Sequence, residues 1–178
     1  LALTPLVRNL LERIAKLARS PGSAIVIVTL VGLTASWINW GFGLVVGAIF
    51  AREVARRVKV DYRLLIASAY SGFLVWHGGL SGSVPLTIAT PGHFTVDQIG
   101  VISTSQTIFA FFNLALVIVM FIAVPLVNRL MMPRPEESIY VDPKLLEDEA
   151  HEHAPAETPA DRLERSLILT GLIGLGGL

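Results

Sequence analysis

The feature that most constrains this chain is the length of its uncharged segments. Ala24 to Ala51 is a run of 28 residues without a charged side chain, and no Lys or Arg lies between Leu64 and Asn128. Hydrophobic residues make up 53% of the sequence and charged residues only 16%, with a mean hydropathy of +0.64. Soluble domains rarely combine these values. We therefore expect an all-α integral membrane protein that does not bind nucleic acid.

The basic residues predict how the first uncharged segment is folded. All 14 Lys and Arg fall in three blocks, at 8–19, 52–63 and 129–165, and such residues favour the cytoplasmic side. As one helix, Ala24–Ala51 would be about 42 Å long, more than the ~30 Å hydrocarbon core, and both of its flanks are basic. A re-entrant hairpin over residues 21–60 resolves both conflicts, with a first arm at Ala24–Trp37 of roughly 21 Å and a tip near mid-membrane. A long tilted helix is the alternative.

The stretch Trp76–Gly92, WHGGLSGSVPLTIATPG, predicts a broken transmembrane helix over residues 61–92. An apolar helix is expected over Leu64–Trp76, and Val84–Thr90 would complete the crossing. Each Gly costs about 1 kcal/mol inside a helix and Pro about 3, so the helix should break among Gly78, Gly79, Gly82 and Pro85. Broken backbone in hydrocarbon must be satisfied by protein or by a water-filled cavity, which indicates an enclosed polar site. Alternatively, the glycines only permit tight helix packing.

The remaining segments complete a multi-pass topology. Residues 1–20 read as an amphipathic interfacial helix, or as a connector packed on neighbouring helices, with an apolar stripe of Leu6, Leu10, Ile14, Leu17 and Ala18. Residues 93–106 read as an outer loop and 107–128 as a transmembrane helix. Residues 129–165 form an acidic cytoplasmic loop in which Asp142-Pro143 and Thr158-Pro159 each start a short helix. Residues 166–178 begin a truncated span, so we expect a fragment.

Both predicted breaks carry neutral polar groups that suit a small ion. Main-chain carbonyls and amide or hydroxyl oxygens coordinate Na⁺, and the N-terminal ends of half-helices hold a carboxylate without Arg or Lys. The candidate ion-binding residues are Asn39, Gly41 and Gly43. The candidate substrate-binding residues are His77, Gly78, Gly79, Ser81, Gly82, Ser83 and Thr87. The role expected for His77 is a hydrogen bond to a freed carbonyl, with substrate binding or proton transfer as alternatives.

Two other kinds of site are considered and set aside. Gly79-Leu80-Ser81-Gly82 matches the short G-x-S-G pattern of rhomboid intramembrane proteases, but no second transmembrane histidine is present to activate Ser81. His151-Glu152-His153 has alternate residues on different faces of a helix and is expected to be solvated sequence, not a metal site. We therefore expect neither an enzyme nor a bound cofactor or metal, apart from Na⁺ or H⁺ as a coupling ion.

Three blocks of sequence resemble the short-chain fatty acid transporter family of bacterial inner membranes. They are INWGFGLVVGAIFAREVARRV (residues 38–58), LLIASAYSGFLVWHGGLSGSVPLTIATPG (64–92), and MMPRP with DPKLL (131–146). The resemblance implies the N-terminal half of an inverted-repeat secondary transporter, with a re-entrant hairpin and a broken helix around a midplane site. The Ser-Asn-Thr tip of the wider ion transporter superfamily is not present, since Ile38 and Trp40 flank Asn39.

The function expected from these features is secondary active transport of short-chain fatty acids or other small monocarboxylates. The expected mechanism is ion-coupled alternating access. The expected partners are the carboxylate substrate, the lipid bilayer and a possible second copy of the chain in a homodimer. An inactive truncated remnant or an accessory membrane subunit is the alternative.

Overall fold

The computed structural model describes residues 5–146, and these residues form helices and connecting turns without a strand. Seven α-helices follow in order: α1 (Pro5–Ala15), α2 (Pro21–Ile38), α3 (Trp40–Ala55), α4 (Tyr62–Ser71), α5 (Ser83–Ile88), α6 (Val96–Ile99) and α7 (Phe111–Leu130). Short 3₁₀ helices lie at Gly72–Gly78, Thr104–Gln106 and Pro143–Leu146. The helix predicted at Thr158-Pro159, the His151–His153 cluster and the span from 166 lie outside the described residues.

Two of these helices, α2 and α7, are long and apolar enough to cross a membrane by length and composition. With 18 and 20 residues they measure about 27 and 30 Å. The described part of the chain is thus all-helical and consistent with a membrane protein. The α2 helix is longer than the arm of roughly 21 Å expected from the sequence, because the helix already begins at Pro21.

The α2–α3 pair forms a helical hairpin whose connection is one residue long. Ser20 caps the start of α2 with a reciprocal hydrogen-bonded capping box to Ser23, and Pro21 occupies the first turn, where its missing N–H costs nothing. Asn39 ends α2 in an extended conformation and at once caps α3, since its side-chain oxygen accepts from the Phe42 N–H. A hairpin with its tip at Asn39 is therefore present.

The core of the bundle is formed around α2, which packs against α3, α4 and α7. Fully buried apolar side chains from α2, α3 and α4 meet there: Ile25, Val28, Phe50, Val54 and Leu65. Helices α2 and α4 approach unusually closely. A Cβ atom on Gly32 would stand 2.6 Å from the Ala69 carbonyl oxygen, and one on Gly72 would stand 2.2 Å from the Gly32 carbonyl carbon. Some glycines thus do serve tight packing, as the alternative interpretation proposed for the break.

Helix α7 joins this bundle through hydrogen bonds of one buried amide, Asn128, to Thr29 and Ser71, which we call the clasp. Only Pro125 and Asn128 of α7 are buried. The Asn128 amide donates to Thr29 Oγ1 at 3.0 Å and to Ser71 Oγ at 2.8 Å, so it ties α7 to α2 and α4. Both hydroxyls already donate to main-chain carbonyls, so they can only accept from Asn128, and this fixes the amide orientation. The sequence interpretation did not single out Asn128.

The basic blocks at 52–63 and 129–144 lie at one end of the bundle. Asp61, in the loop between α3 and α4, caps α4 by accepting from the Leu64 N–H at 2.8 Å. Its second carboxylate oxygen accepts from the Ile139 N–H at 2.8 Å and pairs with Arg63 at 3.0 Å. Arg56 donates to the Leu146 carbonyl. The segment after α7 is thereby tied to the loop between α3 and α4.

These contacts shift the pKa of Asp61. Burial raises the pKa of its carboxyl group, but the N–H groups of Ile139 and Leu64 and the Arg63 guanidinium lower it by more. The pKa of Asp61 therefore lies below its ordinary value.

The α1 helix packs on α3 and α2, which fits the connector interpretation of its sequence. The apolar residues of this segment divide between the bundle and the surface. Leu11 and Ala15, which were not in the expected stripe, are buried, whereas Leu10 and Leu17 are 52% and 61% exposed. The helix is apolar on two sides, and the side that carries Leu11 packs against the bundle. A position of α1 on the membrane surface stays a prediction.

The predicted break begins earlier than expected. The α-helix expected over Leu64–Trp76 ends at Ser71, and seven residues of 3₁₀ helix follow. Runs of this length are uncommon, because the hydrogen bonds of a 3₁₀ helix have poorer geometry. In such a helix the side chains at i and i+3 eclipse, and this places Tyr70, Phe73 and Trp76 in one row with ring centroids 6.0 and 4.8 Å apart.

Candidate functional site

The tip of the hairpin and the break in the second segment meet, at a place we call the junction: Trp37–Trp40 together with Gly78–Gly82. The Leu80 N–H donates to the Trp37 carbonyl at 2.7 Å, and the Trp40 N–H donates to Ser81 Oγ at 3.0 Å. A helix leaves its last carbonyls and first N–H groups without intrahelical partners. Here the second break supplies partners for the end of α2 and the start of α3.

Glycine is required where the two backbones touch. A Cβ atom on Gly79 would stand 2.3 Å from the Trp37 carbonyl oxygen, and one on Gly82 would stand 2.6 Å from the carbonyl oxygen of His77. On Gly78, a Cβ atom would stand 2.8 Å from Asn113 Oδ1. All three predicted glycines are thus positions of close approach between protein groups.

The predicted ion-binding residues have structural contacts of their own. Asn39 Oδ1 is engaged with the Phe42 N–H at 3.0 Å as the cap of α3. Gly43 is buried against Ser36, where a Cβ atom would stand 2.2 Å from Ser36 Oγ. Gly41 is open, with only Asn39 Oδ1 near its Cβ position, at 3.6 Å. Ion binding at these residues stays a prediction.

The predicted hydroxyl groups separate into two sets. Ser81 is half-buried and its oxygen accepts from Trp40. Ser83 and Thr87 are exposed on α5, where Thr87 Oγ1 donates to the Ser83 carbonyl at 2.7 Å. The structure therefore brings Ser81, but not the side chains of Ser83 and Thr87, into contact with the hairpin tip.

His77 lies at the edge of the junction in an aromatic environment. Its ring is exposed and stacks on Trp76, with ring centroids 4.2 Å apart. Within residues 5–146 it makes no side-chain hydrogen bond, so the expected bond to a freed carbonyl is not seen. The freed Gly78 carbonyl instead accepts from Asn113. Nδ2 of Asn113 donates to it at 3.0 Å and to the Ile108 carbonyl at 2.8 Å.

The sequence interpretation missed the aromatic and amide groups around the junction. Trp40 packs on Trp76 and Phe73, with ring centroids 5.3 and 6.3 Å apart. Asn113 lies in the first turn of α7 and could have been noticed as an amide within an apolar run. Trp40 directly follows Asn39, but its partners lie more than thirty positions away, so no local pattern connects them.

The protease alternative receives no support from this geometry. Ser81 Oγ accepts from a main-chain N–H, and among the described residues no histidine is hydrogen-bonded to it. His93 is buried in the loop before α6, where its ring bonds the Gly100 carbonyl and Thr95. Residues 5–146 likewise hold no group of His, Cys, Asp and Glu that could bind a metal.

Discontinuous helices that meet through main-chain groups inside an apolar bundle are typical of secondary transporters. The family comparison agrees with this class: residues 1–178 match the family described as "Short chain fatty acid transporter". The chain belongs to this family.

Two curated relatives carry the same name, "Putative short-chain fatty acid transporter". The protein from Escherichia coli (strain K12) is 48% identical over 176 residues, which cover 97% of this chain and 40% of the relative. The protein from Haemophilus influenzae (strain ATCC 51907 / DSM 11121 / KW20 / Rd) is 42% identical over 188 residues, which cover 99% of this chain and 42% of the relative. The chain thus spans about two fifths of the length of these relatives. No solved structure matches it.

Proposed function

We propose that this chain is part of a secondary transporter that moves short-chain fatty acids or other small monocarboxylates across the inner membrane. The observation that carries the proposal is the junction, where the second break supplies partners for main-chain groups of the hairpin tip at one end of the apolar bundle. The family membership supports the class of substrate. Alternating access, coupled to Na⁺ or H⁺, completes the proposed mechanism.

The junction suits a carboxylate because it offers hydrogen-bond donors and no fixed charge. No Lys, Arg, Asp or Glu lies in residues 36–42 or 72–90. The Ser81 hydroxyl accepts from Trp40, and its own proton remains able to donate. A carboxylate held by neutral donors can be released again, as a carrier requires, whereas a buried Arg pair would hold it strongly.

Transport is tested in proteoliposomes that contain the natural full-length protein of which this sequence is part. Labelled butyrate should exchange against internal butyrate in a counterflow assay, and imposed Na⁺ and pH gradients should reveal the coupling ion. Absence of butyrate counterflow from correctly inserted protein would refute the proposal.

Two substitutions test the site residues with little structural disturbance. Ser83→Ala removes a hydroxyl group on an exposed residue, so a loss of uptake would reflect binding and not folding. Asn39→Ser keeps a side-chain oxygen that can cap α3 but removes the amide, so it separates the capping role from ion binding. Thr34→Ala is the matched control, because this exposed hydroxyl bonds only within α2. Normal uptake in both test variants would remove these residues from the site.

A further inference from the structure

All three tryptophans of the chain lie at the junction, although one of them is distant in sequence from the other two. Trp37 provides the carbonyl that binds Leu80, and Trp40 provides the N–H that binds Ser81. Trp76 packs against the ring of Trp40, and its carbonyl accepts from the Gly79 N–H. The main-chain groups of Trp37 and Trp40 therefore lie where the two breaks meet, and the ring of Trp76 lies beside that of Trp40.

Two of the three indole groups have an unused donor. The Nε1 atoms of Trp37 and Trp76 are buried, and neither has a hydrogen-bond partner within residues 5–146. An indole N–H can only donate, so it needs an acceptor. A buried donor without one is costly, and buried polar groups in native proteins are rarely left in this state. Asn113, which bonds the Gly78 carbonyl of the junction, uses both of its amide hydrogens.

The surroundings offer no charged acceptor to these donors. The segments that form the junction contain no carboxylate. An open groove of about 480 Å³ borders Trp76 and His77 beside Phe73 and Leu74, and provides an approach to this edge of the junction. A small anion with an apolar tail fits both the unused donors and the aromatic wall.

We propose that the indole N–H groups of Trp37 and Trp76 are hydrogen-bond donors to the carboxylate of the transported molecule. This inference rests on the proposed function. In the described conformation both nitrogens are covered, so the carboxylate reaches them when the junction opens. Binding then supplies an acceptor to both N–H groups.

The test removes each N–H while keeping an aromatic ring. Trp37→Phe and Trp76→Phe should each raise the KM of butyrate uptake about ten- to a hundredfold, the usual effect of losing a hydrogen bond to an ionised group. Tyr140→Phe is the matched control. It removes the polar hydrogen of an exposed aromatic side chain in the segment after α7, which does not line the groove, and should leave KM unchanged. Thermal stability without butyrate is measured on all three variants.

The stability measurement separates a ligand donor from a structural one. If the N–H groups bind only the substrate, removing them costs no hydrogen bond when substrate is absent. KM then changes far more than stability does. An unchanged KM together with a loss of stability would show that another part of the protein accepts from these groups, and would overturn the inference. Absence of uptake by the unsubstituted protein would instead refute the proposed function.

If a phenylalanine variant fails to fold, the N–H is removed by incorporating benzothienylalanine, which keeps the size and shape of the indole. A KM equal to that of the unsubstituted protein at both positions would then overturn the inference.

Discussion

The close crossing of α2 and α4 allows a prediction with an internal control. Gly32 and Gly47 both face the carbonyl oxygen of Ala69, from α2 and α3 respectively. A Cβ atom would stand 2.6 Å from that oxygen at Gly32 but 3.4 Å from it at Gly47. The first distance is a clash with backbone, and the second is an ordinary contact. The two substitutions to Ala thus differ mainly in the distance from the new Cβ atom to the Ala69 oxygen, which is 0.8 Å shorter at Gly32.

The expected free energies follow from this difference. Each Gly→Ala change gains about 1 kcal/mol of helix propensity, so this gain cancels in the comparison. Overpacking costs about 1–3 kcal/mol, and at Gly32 it cannot be relieved by rotating a side chain. We expect Gly32→Ala to have a free energy of unfolding about 1–3 kcal/mol below that of Gly47→Ala, with Gly47→Ala near or above the unsubstituted protein.

The assay is reversible unfolding in detergent micelles, followed by circular dichroism, with both variants under identical conditions. If Gly32→Ala were as stable as Gly47→Ala, the contact between α2 and α4 would be looser than described, and the reasoning would be refuted.

Two further predictions concern the contacts at the basic end and in the clasp. Asn128→Leu should cost about 1–3 kcal/mol, because two buried interhelical hydrogen bonds are lost, and in a Ser71→Ala background the same change should cost less. Equal costs in both backgrounds would show that Asn128 and Ser71 do not interact. Because the pKa of Asp61 is lowered in the folded protein, its contribution to stability is present above the ordinary carboxyl value of about 4 and is lost as pH falls through the folded value. Asp61→Asn should remove this part of the acid dependence in a pH series of thermal melts, and an unaltered dependence would contradict the assignment.

The sequence was sufficient to predict the elements that depend on local composition. The glycines predicted an interruption near Gly78–Gly82, although the α-helix already ends at Ser71 and Pro85 lies in the first turn of α5. The paired basic flanks predicted a hairpin, and a helical hairpin with Asn39 at its tip is present, whereas its re-entrant position in a membrane stays a prediction. The α7 helix was predicted from its apolar length, although it begins at Phe111 and not near Thr107. Helix ends are poorly determined by hydropathy, because Thr107 to Ala110 are also uncharged.

Contacts between distant residues could not be predicted in the same way. The bond from Trp40 to Ser81 joins positions 41 residues apart, and the bond from Asn128 to Thr29 joins positions 99 apart. Periodicity shows which side of a helix is apolar but not which neighbour it meets, so it does not predict that the bundle contacts α1 at Leu11 and leaves Leu10 exposed. The role of His77 was misjudged because nothing in the sequence placed Asn113 beside the Gly78 carbonyl.

The mutual satisfaction of the two breaks has a consequence for biosynthesis. The hairpin tip leaves the ribosome some forty residues before Leu80 and Ser81, which supply its missing partners. Until those residues arrive, an acceptor on Trp37 and a donor on Trp40 lack protein partners at the tip, where unpaired main-chain groups are disfavoured in lipid. The first hairpin is therefore expected to stay near the insertion machinery or in contact with water until the second segment joins it, which makes their pairing an event late in membrane integration.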